Sequence, residues 1–171
     1  MKSAERVKFD LVALLPRLNR YARNLTRSST EADDLLQATC TRVLDKWTQF
    51  KPGSDFDRWA FTVMSSISRN HLRADIVRQG SGQVDAAEEL QSIDSPEGNK
   101  FRDEVFTLLS SLPEAQRQVL TLVYIEGYTY QETAEMLNVP VGTIMSRIAR
   151  GRARLSKELD APMESTIGKR L

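Results

Sequence analysis

Four arginines, Arg147, Arg150, Arg152 and Arg154, fall within the stretch VGTIMSRIARGRARL at positions 141–155. Guanidiniums keep their charge and present a planar fork of donors, which suits phosphate oxygens and the edge of guanine. From Pro140 to Lys157 no Asp or Glu offsets them. A helix that is merely solvated more often mixes its signs for pairing between residues four apart. At about 100° per residue, with Arg147 as zero, Ile144, Ile148, Gly151 and Leu155 fall between roughly +40° and +100°, whereas Thr143, Ser146, Arg150 and Arg154 fall between roughly −20° and −100°. One face of such a helix docks on a protein core, and the adjoining face carries hydroxyls and cations toward nucleic acid.

The elements that must position this face lie just upstream. In GYTYQETAEMLNVPVGT, Thr129 with Glu132 three residues on has the spacing of a capping box, and it opens a short helix whose inward face is Thr133, Ala134 and Leu137. The NVP turn breaks that helix, and Pro140, Gly142 and Thr143 open the next. Two helices joined by so short a turn form a helix-turn-helix, whose second helix enters the major groove.

A second cluster is DFDRWAFTVMSSISRNHLRADIVR. Trp59, Val63 and Ile67, with Ile76 beyond them, form the predicted core stripe of a helix that turns Ser65, Ser66, Arg69, Asn70, Arg73 and Arg78 to its other side. Cations for phosphates beside small hydroxyls and an amide suit unstacked single-stranded DNA. Trp59 lies in the stripe and reads as core rather than as a platform for a base. In STEADDLLQATCTRVLDKW, Thr30 and Asp33 have capping-box spacing; Ala32, Leu35, Thr39, Val43 and Trp47 recur inward, and Asp34, Gln37, Thr41 and Asp45 form a polar, partly acidic face. By periodicity alone that face is an ordinary solvated one.

Periodic apolar patterns run through both halves of the 171 residues, and strand alternation is essentially absent, so the fold class is all-α. Between the halves, positions 79–99 hold five acidic residues and no Lys or Arg, with three glycines and a proline, the composition of a flexible tether. The expected division is a first helical domain at 1–78, an acidic linker at 79–99, a second helical domain at 100–160 and a tail at 161–171. With a formal net charge of only +1, affinity for nucleic acid must come from local asymmetry. No run reaches the roughly eighteen apolar residues of a membrane span, and MKSAERVKFD lacks the apolar core of a signal peptide, which suggests a cytosolic chain. Cys40 and His71 are each the sole residue of their kind, which excludes an internal disulfide and argues against a Cys/His metal site; no phosphate-binding glycine loop or nucleophile pairing is present. Neither an enzyme, a cofactor, a metal nor a small-molecule substrate is expected.

From about Leu15 to Leu155 the order of these pieces resembles the extracytoplasmic-function (ECF) type of bacterial sigma factor, the small two-domain specificity subunits of RNA polymerase. LPEAQRQVLTLVYIEGYTYQETAEMLNVPVGTIMSRIARGRARL resembles the promoter-reading domain, known as region 4, while LPRLNRYARNLTRSSTEADDLLQATCTRVL and FDRWAFTVMSSISRNHLR resemble the other domain, region 2. The resemblance implies that Asp33, Asp34 and Gln37 dock on core RNA polymerase. It implies that Ser66, Arg69, Asn70 and Arg73 melt the −10 promoter element and hold its single strand, and that Thr143, Ser146, Arg147, Arg150 and Arg154 meet duplex −35 DNA. Two departures stand out: Ala38 follows Gln37 where the family often has Glu, and Ser66 stands where it often has Asn. The second bears on which −10 base is preferred, because capture depends on hydrogen bonds to a flipped base edge. An anti-sigma factor is the further partner implied, in a cytoplasmic, nucleoid-associated setting. Two other readings are a sigma-like decoy that sequesters an anti-sigma factor and a free-standing helix-turn-helix regulator. The intact SRIARGRAR and DDLLQ count against the first, as does the lack of an attached receiver domain, and the melting-type third helix counts against the second.

Overall fold

Val7, Leu11, Leu14, Leu18, Tyr21, Ala22 and Leu25 recur every three or four residues, and in the computed structural model, which describes residues 4–51, 53–79 and 100–160, they form the buried stripe of α1 (Ala4–Leu25). Pro16 lies on the exposed side of this helix, as does Val12, the residue whose carbonyl an amide at position 16 would otherwise meet. The chain then forms α2 (Ser29–Asp45), a 3₁₀ turn (Trp47–Gln49), α3 (Phe56–Gln79), α4 (Lys100–Ser110), α5 (Glu114–Leu120), a π turn (Thr121–Ile125), α6 (Tyr130–Leu137) and α7 (Val141–Asp160). Among the described residues there is no strand, as an all-α fold requires. Most of the acidic segment, positions 80–99, and the tail at 161–171 lie outside the described residues.

Helices α1, α2 and α3 pack on one another, α5 and α6 both pack on α7, and the two groups meet where α3 lies on α6 and α1 on α5. Their cores join: Phe61 of α3 meets Tyr128, just before α6, edge to face at 5.8 Å between ring centroids. On α2, Ala32, Leu35, Thr39 and Val43 are buried as their spacing predicts, and Trp47 is partly so. Its start differs from the expectation. Ser28 is the N-cap, accepting from the Glu31 amide, while Glu31 reaches back to the Arg27 amide, so the Thr30–Asp33 box does not form.

The core face of α3 is also rotated from the predicted stripe. Phe56, Ala60, Phe61, Met64, Ile67 and the hydroxyl residues Ser65 and Ser68 are buried, whereas Trp59 and Val63 are only partly covered. Ser65, expected on the polar side, is fully buried: its hydroxyl donates to the Phe61 carbonyl at 2.8 Å and sits 2.8 Å from the Tyr21 hydroxyl, which is left to donate to it. Serine accepts burial here because both of its hydrogen-bonding roles are filled. Trp59 packs against Phe50 and Phe56 in an aromatic cluster at the edge of the core, consistent with its reading as a core residue.

Candidate nucleic-acid interface

The helix-turn-helix is built by local chemistry. Thr129 accepts from the Glu132 amide and Glu132 returns a bond to the Thr129 amide, so the capping box that the spacing predicts is complete. These bonds, to the Thr129 amide first and its hydroxyl second, hold the Glu132 carboxyl below its ordinary value. Thr133, Ala134 and Leu137 are buried, joined by Met136. Asn138 ends α6 in the left-handed region at φ 52°, a conformation Asn enters at lower cost than most residues. The chain turns through Val139 and Pro140 into α7, whose Thr143 and Ile144 amides both point at the Pro140 carbonyl.

On α7, Ile144, Ile148 and Gly151 are buried and Leu155 is partly so, the docking face the angular count predicts. Gly151 permits the close approach of α5: a Cβ there would lie 2.8 Å from Leu120 Cδ1 and 3.5 Å from Gln116 Cβ. The polar face is graded. Arg150 and Arg154 are exposed, whereas Thr143, Ser146 and Arg147 are half-buried, and the Ser146 hydroxyl is turned onto the Thr143 carbonyl. Burial, and then the neighbouring Arg69, lower the Arg147 guanidinium from its ordinary value.

Helix α3 places Asn70 and Arg73 in solvent and leaves Ser66 and Arg69 half-buried. Arg69 donates to the Leu137 carbonyl at 2.8 Å, at the C-terminal end of α6. The residues predicted to hold single-stranded and duplex DNA are thus brought together at Arg69 and Arg147, one on each side of the junction between α3 and the helix-turn-helix. Asp33, Asp34 and Gln37 stand exposed on α2, apart from this junction, while Ala38 is partly buried. Cys40 is half-covered, and burial pushes its thiol up from the ordinary value, which disfavours the reactive thiolate. Among the described residues no group of His, Cys, Asp and Glu is arranged to hold a metal, and no helix is long and apolar enough to cross a membrane.

A set of polar residues that the sequence does not single out ties the two groups of helices together. Glu126, at the end of the π turn, has a side chain only 1% exposed and lies between two arginines of α1, Arg17 Nε at 2.8 Å and Arg20 Nη2 at 3.7 Å. Burial lowers the Arg17 guanidinium, but its bonds to Glu126 and Asp57 outweigh that and hold it above the ordinary value. Arg58 of α3 pairs with Glu135 and approaches Glu132 on α6; Asn24 donates to Thr121, and Ser68 to Glu114. Arg17 and Glu126 are 109 positions apart, and no local pattern in the chain marks such a pair.

The Sigma-70, region 4 family model matches residues 102–155, and the Sigma2 domain of PhyR model matches residues 11–65. The chain is 31% identical to the ECF RNA polymerase sigma factor EcfG of Rhodopseudomonas palustris (strain TIE-1), over 91% of its own length and 86% of that protein. It is 28% identical to the ECF RNA polymerase sigma-E factor of Haemophilus influenzae over 85% of this chain and 84% of that one. Among solved structures it is similar to the sigma factor RpoE in complex with the anti-sigma factor NepR from Bartonella quintana, with a TM-score of 0.73, 26% identity, and 90% and 96% of the two chains covered. The fold is shared by half of the anti-anti-sigma factor PhyR of the same organism, at 18% identity and a TM-score of 0.57 over 89% of this chain and 50% of that one.

Proposed function

Because the chain belongs to the ECF family of RNA polymerase sigma factors, we propose that it carries core RNA polymerase to promoters whose −35 element it reads as duplex and whose −10 element it melts and holds as a single strand. The observation that carries this reading is α7, a helix with one face docked on α5 and α6 and the other bearing Thr143, Ser146, Arg147, Arg150 and Arg154 with no acid among them. Helix N-termini of this motif meet base edges, so Arg147 and Arg150 are placed for guanine or phosphate and Arg154, farther along, for phosphate.

In this reading Asn70 and Arg73, already in solvent, and Ser66 and Arg69 receive the −10 strand, with the cations on phosphates and the hydroxyl and amide on a displaced base. Asp33, Asp34 and Gln37 form the dock for core polymerase. The chain performs no bond-making step; it contributes binding free energy and strand separation. An anti-sigma factor is the expected repressor, since the related RpoE has been solved with one. The domain boundaries are taken at 1–78 and 100–160, with the carboxylates of 79–99 spacing the two DNA contacts.

The test is co-elution of the purified chain with bacterial core polymerase, followed by sequencing of run-off transcripts. Asp34→Ala combined with Gln37→Ala should weaken the association while circular dichroism stays unchanged; association that survives this pair of changes removes α2 as the dock. A second reading, a decoy that binds an anti-sigma factor, is favoured by the match of residues 11–65 to the PhyR sigma-like domain. It predicts capture of an anti-sigma factor with no binding to core polymerase.

A further inference from the structure

Helix α7 has a third face besides the docked one and the basic one. Over positions 141–150 the exposed residues are Val141, Gly142, Met145, Ala149 and Arg150, whereas Thr143, Ser146 and Arg147 are half-buried. With Arg147 as zero, Val141, Met145, Ala149 and Gly142 fall between roughly 120° and 220°, a contiguous arc that carries no side-chain hydrogen-bond donor. Val141 is 38% and Met145 54% exposed, so neither is used up in the core. Beside them the Ser146 hydroxyl already donates to the Thr143 carbonyl at 3.1 Å. Gly142 is not required by the fold. A Cβ there would meet nothing within 4 Å, its φ is not positive, and alanine is the better helix former.

A recognition helix meets base edges with its N-terminal residues, and the apolar feature of those edges in the major groove is the thymine 5-methyl. We infer that Met145, with Val141 one turn before it, reads a thymine methyl in the −35 element, and that Gly142 leaves bare backbone so that the helix can approach the bases that closely. The methionine side chain is flexible and polarizable, and so can follow a methyl group into contact. The charge around the arc makes duplex DNA its occupant. Arg150 borders it on one side and exposed Arg152 continues it at roughly 140°, with no acid between Pro140 and Lys157, so a duplex that presents its groove to Met145 meets guanidiniums at its phosphates. The inference rests on the function proposed above for naming that duplex a −35 element; the contact between α7 and a thymine methyl does not.

The experiment uses the full-length chain assembled with bacterial core polymerase and, in parallel, the chain alone. Each first selects duplexes from a pool randomised over the −35 region, and the selected duplex is the probe. Its thymines are then replaced one at a time by deoxyuridine, which deletes the methyl and keeps every hydrogen-bonding group. At one position or two the replacement should weaken binding by about fourfold in fluorescence anisotropy, the worth of one buried methyl. Met145→Ala should bind the two duplexes alike, with circular dichroism unchanged because the side chain is exposed. Gly142→Ala should weaken binding of the thymine duplex while its urea midpoint holds or rises, a split that a purely structural glycine would not produce; unchanged binding there overturns the close approach. A selected element without thymine, or a deoxyuridine penalty that persists in Met145→Ala, overturns the methyl contact. So does loss of core-polymerase association in Met145→Ala, which would make the arc a polymerase-docking face. If the unaltered chain fails to join core polymerase but alone selects a duplex with the Met145-dependent penalty, the sigma reading falls and the methyl contact stands. Association with core polymerase and promoter binding with no such penalty does the reverse.

Discussion

Arg147 carries the sharpest expectation at the level of single side chains. If it makes a bidentate contact to guanine, Arg147→Ala lowers promoter affinity of the assembled polymerase by about 1–3 kcal/mol, read by anisotropy on labelled promoter, with polymerase association unaffected. Equal affinity for the altered protein would take Arg147 off the reading face. Thr129 offers a second. Thr129→Ala removes the N-cap of α6 and should cost about 1 kcal/mol in a urea titration at neutral pH. The pH dependence has a definite sign. The Glu132 carboxyl is depressed below 4.5 by the Thr129 amide and hydroxyl, so its part of the stabilisation is present above 4.5 and is lost as pH falls through the depressed value. The gap between the two proteins should therefore narrow in acid without closing, because the Thr129 hydroxyl still accepts from the Glu132 amide. The Thr129 cap is legible in sequence, since it depends on a neighbour three positions away. Ser65 is not legible in this way: a serine beside Ser66 and Arg69 reads as polar surface, and only Tyr21, 44 positions distant, makes it a satisfied core residue.

Between elements, the closest approach among the described glycines is that of Gly151. Leu120 and Gln116 of α5 stand against its α-carbon, so a branched side chain there pushes α7 off α5. Gly151→Val should destabilise by about 1–3 kcal/mol in chemical denaturation, and DNA binding should fall with it because α7 loses its seat. Gly151→Ala is a milder case, since the atom it meets is the far end of a leucine side chain and alanine is the better helix former. The periodicity from Pro113 to Ile125 predicts one helix, whereas the chain passes from α5 into a π turn at Thr121–Ile125. The extra residue sets Glu126 facing α1, where the Thr121 carbonyl receives its amide. The buried arc of α3 departs from the predicted stripe for a related reason. A helix covered on two sides, by α1 and α2 and then by α6, has a wider buried arc than a single stripe, and Phe61 and Ser65 fall in the part of that arc a one-faced reading assigns to solvent.

Over the whole molecule, the junction predicts coupled unfolding. Phe61 belongs to the core of α1 to α3 and also packs on Tyr128, so Phe61→Ala should cost about 3–5 kcal/mol and weaken both groups of helices together. Hydrogen exchange followed on α2 and on α7 should show protection falling in both; a loss confined to α2 would mean that the two groups unfold independently. Sequence alone determined the all-α class, the capping box and turn of the helix-turn-helix, the inward faces of α2, α6 and α7, and the basic face of α7. All of these follow from interactions within a few residues and from the periodicity of one helix. Only the tertiary structure decided that α3 carries α6 on its second side, that Glu126 closes on Arg17 and Arg20, and that Arg69 and Arg147 end up as neighbours. Those contacts join positions up to 109 residues apart, and nothing in the local chain specifies them: they arise when two amphipathic surfaces, each already formed, bury what remains exposed against the other.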